Sequence, residues 1–344
     1  MTLPRRDFLT GALTLTLACV ALPDDMENKS EMQEPAIYDC LIVGGGIAGL
    51  SAALALGRAR RKVLLCSGGP PRNAPAPHSH NFVTRDGVPP LELLTIARSQ
   101  LAPYESVSLR DVQVRKITRS GDAEFEARLS EGKEVRSRTV ILATGMRDEL
   151  DGLPGLNELW GDSVFACPFC HGWEYRDRRW ALMTDRSSAL DKVKLARSWT
   201  PNLLVCSRDG ISLEEEQASA LDALGISFYS SPVVRLEGEK TLQAIVLADG
   251  ERVPCDAMLY RPPQKQRSTV AEELGCAFEP NGFIQTQAPF GATSVPGVFA
   301  IGDVVGPMQS LITASASGSF AGAGVHHLLM QVDFERDLHM AGRK

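Results

Sequence analysis

The sequence predicts an α/β protein built of two Rossmann-like units, and three observations carry that expectation. From Ala36 the chain alternates an apolar run, a glycine loop, a helical stretch and another apolar run. A second alternation begins near Leu150, and the composition shifts again after Pro262-Pro263. At 344 residues there is chain enough for two ordinary cores, and 44% hydrophobic with 23% charged residues is a globular composition. A net charge of −6, with no lysine/arginine cluster in the body of the chain, argues against nucleic acid and against a basic membrane-surface role.

The elements follow in order. "YDCLIV" reads as a strand, "GGGIAG" as a turn, "LSAALALGRA" as a helix and "KVLLCS" as the next strand. Residues 67–90, rich in proline, glycine, asparagine and histidine, form a long loop before a helix near Leu91–Leu101. Residues 107–142 are β-rich and end in "RTVILATG". The second unit has strands near Trp180–Met183, Leu203–Cys206 and Ile226–Tyr229. Its helix is announced by a capping box from Ser212 to Glu215, and "VLADGERV" reads as a hairpin across Asp249-Gly250. A last apolar helix runs from about Gln309 to Met330, and no solenoid-length repeat is present. The 8 cysteines are too sparse for a disulfide-stapled fold, and Cys40, Cys66 and Cys206 lie in apolar runs as small hydrophobes.

The N-terminus differs from the body. Arg5-Arg6, followed by Asp7, Phe8 and Leu9, precedes an apolar run from Gly11 to Leu22 with small residues near Ala18 to Ala21. That order fits residues 1–25 as a twin-arginine export signal, which carries folded, cofactor-loaded proteins to the periplasm. The run is short for a membrane span, and no other segment is apolar enough, so no stable membrane insertion is expected. Two alternatives stand beside export. Cys19 is a lipid-attachment candidate with an unusual Thr16 three before it, and translation starting at Met26 would leave the chain cytoplasmic.

"VGGGIAGL" places Gly44, Gly46 and Gly49 between a strand and a helix. Gly44 allows the tight turn, Gly46 lets backbone approach a pyrophosphate, and Gly49 permits close helix–strand packing. The helix N-terminus offers free N–H groups to the anion. With its strand before and helix after, the loop predicts dinucleotide binding. The ribose-binding position, about 20 residues on, falls at Ser67, which hydrogen-bonds without charge.

"FACPFCHGWEY" holds Cys167 and Cys170 with His171 directly after. CxxCH fits a redox dithiol, a zinc clamp or a haem attachment site. Structural zinc wants four ligands, and no second CxxC or matching histidine pair exists, so no metal is expected.

Together "TVILATGMR" (Thr139–Arg147), "TSVPGVFAIGDV" (Thr293–Val304), "CPFCHGWE", "PPRNAPAPHSHNF" and "TRDG" resemble the thioredoxin-reductase-like branch of pyridine nucleotide–disulfide oxidoreductases, over roughly Ala36–Leu329. The likeness extends to its low-molecular-weight dithiol oxidases. The resemblance implies two three-layer ββα Rossmann domains, with an FAD domain (36–150 and 264–332) interrupted by an inserted NAD(P)-like domain (151–263). It gives FAD contacts to Gly44, Gly46, Ile47, Ala48, Gly49, Ser67, Arg72, Asn73, Asn81, Val114, Thr144 and Gly145. On the returning segment it adds Gly302, Asp303, Gln309, Ser310 and Leu311, with Asp303 on the ribityl chain and the last helix aimed at the isoalloxazine. It makes Cys170 the flavin-facing thiol, Cys167 the exchange thiol, and His171 the acid/base where thioredoxin reductases carry aspartate. A haem reading loses ground there, because flavin segments flank CPFCH and a twin-arginine leader delivers an already folded chain.

One departure changes the function. Thioredoxin reductases carry a second glycine fingerprint for NADPH, whereas here Thr184, Asp185 and Arg186 put side chains where pyrophosphate backbone contacts belong. The basic cluster for a 2′-phosphate shrinks to Arg208 beside Asp209. The sequence therefore argues against NAD(P)H, and an exported protein would meet no NADPH pool. The expectation is an FAD-dependent enzyme that oxidises a small dithiol, with oxygen or another acceptor taking the electrons. The alternatives are an NADPH-dependent disulfide reductase serving a small redox protein, and a non-catalytic flavin-binding scaffold, which would have no need of paired thiols. A homodimer is expected from the family; His326-His327 are given no role.

Overall fold

The computed structural model describes residues 37–121, 124–150 and 152–342. The Arg5-Arg6 leader, Cys19 and Met26 lie outside the described residues.

The first sheet takes β1 (Ile37–Val43), β2 (Val63–Cys66), β3 (Val107–Arg110), β4 (Val114–Ser120), β5 (Glu124–Leu129) and β6 (Glu134–Leu142) in the order β3-β2-β1-β6-β5-β4. β1, β2, β3 and β6 run parallel, whereas β4, β5 and β6 form an antiparallel meander. β2 is buried at every residue, as a central strand covered on both faces must be. In β1 the two-residue period is plain: Leu41 and Val43 enter one apolar layer, Cys40 and Ile42 the other.

From β6 the chain leaves through β7 (Met146–Asp148) and builds a second sheet. β8 (Val164–Phe165), β9 (Trp180–Met183), β10 (Leu203–Cys206) and β11 (Ser227–Phe228) belong to it. A three-stranded antiparallel flap of β12 (Val233–Glu237), β13 (Ala244–Leu247) and β14 (Arg252–Pro254) follows, with the hairpin at the expected Asp249-Gly250. β15 (Ala257–Leu259) then completes the parallel order β11-β10-β9-β15-β8. β16 (Gln264–Gln266) pairs antiparallel with β7, and β17 (Val298–Ala300) rejoins the first sheet beside the end of β6. The fold is thus two Rossmann-like units, the first resumed after the second.

The helices are α1 (Ile47–Arg58), α2 (Pro90–Ser99), α3 (Leu156–Leu159), α4 (Pro168–His171), α5 (Ala189–Ala196), α6 (Glu215–Ala223), α7 (Val270–Glu273) and α8 (Leu311–Ala341). α8 lies tightly on α1 because its contact face is small. A Cβ at Gly322 would sit 2.7 Å from Ala55 Cβ, and one at Gly318 would strike the Ala48 carbonyl. Among the described residues no helix is long and apolar enough to cross a membrane.

Two sequence expectations need correction. The box before α6 is not Ser212–Glu215: Glu214 is the N-cap, and its N–H donates to Gln217 Oε1 at 3.1 Å. That register puts Glu215 and Glu216 in the first turn, where the helix dipole favours anions, and lets Gln217 Nε2 donate to the Arg186 carbonyl at 3.0 Å. The last helix also continues past Met330 to Ala341. Asp333 holds the extension, accepting from Arg61 Nη1 at 2.6 Å and Arg138 Nη2 at 2.7 Å.

Candidate active site

The glycine loop folds as its residue types require. Gly44 has φ +119°, its N–H donates to the Cys66 carbonyl at 2.8 Å, and a Cβ there would collide with the Ala143 carbonyl. The same contact brings the loop against Ala143 and Thr144 just past the end of β6, with Gly145 following in the left-handed region (φ +72°). A Cβ at Gly49 would run into the Gly44 carbonyl, so helix and strand close up only with glycine. Gly46 is the α1 N-cap with no side-chain cap, and nothing lies within 4 Å of where its Cβ would point. Ile47 and Ala48 open the helix, and a Cβ at Gly302 would lie 3.1 Å from Ala48 Cβ. Open space over Gly46 and an uncapped helix start fit the pyrophosphate of FAD. Ser67 is buried against Gly45 and borders a cavity of about 500 Å³ lined also by Arg98, Asp111, Gln113 and Arg115. Val114 is buried between the last two of these.

Arg72 organises the returning segment. Its guanidinium grips Asp148 with two bonds, 2.7 and 2.6 Å, and Nη1 also donates to Asp303 Oδ2 at 3.2 Å and Gln309 Oε1 at 2.5 Å. Gln309 Nε2 donates in turn to Gln264 Oε1 at 2.9 Å. Burial pushes the Asp303 carboxyl above the ordinary range, and Arg72 pulls it back. Ser310 caps α8, its Oγ accepting from the Thr313 N–H at 3.2 Å, and Leu311 is the first helical residue. Asn73 donates to Ser79 Oγ at 3.5 Å. Asn81 is exposed in the left-handed region (φ +59°), and its N–H donates to Asp86 rather than joining the Arg72 cluster.

Cys167 and Cys170 form a disulfide, their Cα atoms 5.3 Å apart, across the single turn of α4 directly after β8. Cys167 is the N-cap, and the Cys170 N–H donates to its carbonyl at 3.1 Å. Cys40, Cys66, Cys206, Cys255 and Cys276 are all buried as free thiols. Burial pushes Cys40, Cys66 and Cys255 up to about 12, so these thiols stay protonated and inert. His171 closes the turn. Its Nε2 lies 2.9 Å from the Gly161 carbonyl, its ring stacks on Phe165 with centroids 5.5 Å apart, and its Nδ1 is buried without a hydrogen-bond partner. Burial lowers its pKa below the ordinary imidazole value, against the carbonyls of Gly161 and Cys167 and the charges of Glu174 and Asp162.

The loop after β2 joins these pieces. Arg72 lies in it, Pro75 and Ala76 press on Gly161, and His80 sits 3.4 Å from Glu174 and 3.5 Å from Asp86. Asp148, Gln264, Gly161 and Phe165 were not picked out in the sequence. The acid that directly follows "ATGMR", Asp148, is the only local hint of any of them.

The second unit repeats the first up to its loop. The Thr184 N–H donates to the Cys206 carbonyl at 2.9 Å, as Gly44 does to Cys66. There the likeness stops. Asp185 Oδ1 accepts from the Ser188 N–H at 2.9 Å and the Ser187 hydroxyl at 2.7 Å. The Ser187 hydroxyl, first, and the Ser188 bonds hold its carboxyl below the usual range despite burial. The protein's own carboxylate thus sits just before α5, on the N–H of the N-cap residue Ser188. Lys192 Nζ donates to the Met183 carbonyl at 2.7 Å, and Arg208 Nη1 to the Val233 carbonyl at 2.9 Å.

The family described as pyridine nucleotide-disulphide oxidoreductase matches residues 38–189 and 201–318. Thioredoxin reductase sirT of Leptosphaeria maculans is 30% identical over 315 residues, covering 87% of this chain and 96% of that protein. Thioredoxin reductase tcpT of Claviceps purpurea is 31% identical over 308 residues, covering 85% and 94%. Among solved structures, HlmI is 34% identical with a TM-score of 0.84, covering 89% of this chain and 96% of that one. A putative thioredoxin reductase TrxB from Bacillus anthracis is 30% identical with a TM-score of 0.82, covering 86% and 99%.

Proposed function

The chain belongs to the pyridine nucleotide-disulphide oxidoreductase family, of thioredoxin-reductase type, and on that footing we propose that it works as a dithiol oxidase on a small dithiol compound or peptide. The observation that carries this reading is Asp185. An anion already bonded to the Ser188 N–H at the start of α5 competes with a nicotinamide dinucleotide for that place and repels its pyrophosphate. Electrons then enter from substrate thiols.

A substrate thiol gives its proton to His171, and the thiolate attacks Cys167 Sγ. The Cys167–Cys170 bond breaks, a mixed disulfide forms, and Cys170 leaves as a thiolate. The second substrate sulfur, its proton passing to the departing Cys167 sulfur, displaces Cys167, closing the product disulfide and leaving two electrons on the cysteine pair. FAD, when bound, would supply the two-electron acceptor for that pair, with oxygen or another compound as the final acceptor; two electrons and two protons convert oxygen to hydrogen peroxide. The Gly44–Gly49 loop and the start of α1 would hold its pyrophosphate, with the Arg72–Asp303–Gln309 cluster near its ribityl end.

A test uses the purified FAD-loaded chain, dithiothreitol and air, with nicotinamide left out. The expected outcome is one oxygen consumed per disulfide formed; turnover only on adding NADPH overturns the reading. The second reading, an NADPH-dependent disulfide reductase serving a small redox protein, is favoured by the names of the curated relatives. Export through Arg5-Arg6 and a homodimeric state belong to the same proposal, checked by cell fractionation and by light scattering.

A further inference from the structure

A ring with two nitrogens is a useful base only if one of them is known to be bare. At His171 the carbonyl of Gly161 can only accept, so Nε2, 2.9 Å away, carries the hydrogen. In the neutral ring Nδ1 is then an acceptor, and it is buried with no hydrogen-bond partner. Buried polar atoms are normally paired, and an unpaired one needs a reason.

The surroundings of the ring are built rather than incidental. Gly161 has φ +89°, its N–H donates to the Val164 carbonyl at 2.9 Å, and a Cβ there would press on Pro75 and Ala76 at 2.9 to 3.1 Å. The direction of its carbonyl is therefore set from both sides. Phe165, fully buried in β8, lies 9° from parallel to the imidazole and is itself braced edge-on by Trp180. The charged and titratable groups facing the ring are Asp162, held by the Tyr175 hydroxyl at 2.7 Å, and Glu174, beside His80. Once Nδ1 takes a proton, these carboxylates and the Cys167 carbonyl favour the cation.

We propose that the Gly161 carbonyl and the Phe165 ring are positioning groups that fix His171 as the Nε2–H tautomer, making Nδ1 the atom that takes the substrate thiol's proton. The step is a proton transfer from S–H to Nδ1 that leaves a thiolate, and it rests on the base role proposed above for His171.

The test is a nitrogen-15 NMR spectrum of the FAD-loaded, oxidised full chain at pH 7 without substrate. Nε2–H with bare Nδ1 is the expected result; an Nδ1–H tautomer or an imidazolium overturns the assignment. Phe165→Leu gives a second readout. With less apolar cover the ring should hold its proton more readily, so the acid limb of the kcat/KM profile moves to higher pH. Relative rate there falls about tenfold for each unit the limb moves, while the alkaline rate stays near wild type. An unmoved limb removes Phe165 from the proposal, and if that variant does not fold the wild-type spectrum still decides. Normal dithiol turnover in His171→Ala overturns the base role itself and this proposal with it, whereas a wrong tautomer overturns only the positioning.

Discussion

Removing the charge of Arg72 should unsettle the site more than any other single substitution outside the dithiol. In Arg72→Met the apolar stem remains, but Asp148 and Asp303 lose the cation they share. Asp148 is only 8% exposed and Asp303 24%, so water can replace little of what is lost. Removing one partner of a buried pair costs about 3–5 kcal/mol, and partial exposure argues for the lower end, about 3. For a chain of 344 residues that is a fall in Tm of roughly 4 °C. The sign of the pH dependence is opposite to that of an ordinary ion pair. The folded Asp303 carboxyl already sits above its unfolded value through burial, and without Arg72 it rises further. A carboxyl raised in the fold binds its proton more tightly folded than unfolded, so the variant regains stability as pH falls from neutrality through that raised value. Circular-dichroism melts of the FAD-loaded and stripped protein between neutral and mildly acid pH measure this, with retained FAD read from absorbance. A Tm within about 1 °C of wild type, or a penalty that grows on acidification, refutes the reasoning.

Three other outcomes are expected. Cys170→Ser should abolish dithiol turnover while FAD stays bound; a colourless variant would mean the cysteine is structural. Asp333→Asn should cost about 1 kcal/mol at pH 7, since its pairs are partly exposed, and should speed amide exchange near the end of α8. Burial raises the Asp333 carboxyl, but bonds from Arg138 and Arg61 hold it below the ordinary value, so wild type loses its advantage as pH falls through that lowered value. Equal loss at every pH would point to packing instead. Asp185→Ala removes the carboxylate bonded to the Ser188 N–H and should improve NADPH affinity from whatever value wild type shows; an unchanged or weaker affinity by calorimetry contradicts the competing carboxylate.

The sequence made the first unit legible because its signals are local. Four buried residues in "VLLC" and the turn demanded by Gly44 are decided by neighbours along the chain. The end of α8 was not legible, because Asp333 finds Arg61 and Arg138 only after the first sheet has formed. The box before α6 was misplaced by two residues since "SLEEEQ" offers two acceptable registers, and a contact with the Arg186 carbonyl chooses between them. At the site, Cys167, Cys170 and His171 stood out by spacing. Gly161 and Phe165 did not, since their part depends on the through-space approach of a carbonyl and a ring to His171. Asp185 was read as an intruding anion; its bond to the Ser188 N–H supplies the geometry behind that reading.

The most direct measurement is an anaerobic titration of the purified yellow protein, following flavin absorbance. Stoichiometric dithiol should bleach it and stoichiometric NADPH should leave it yellow. Rapid bleaching by NADPH, with none by dithiols, would contradict the central claim.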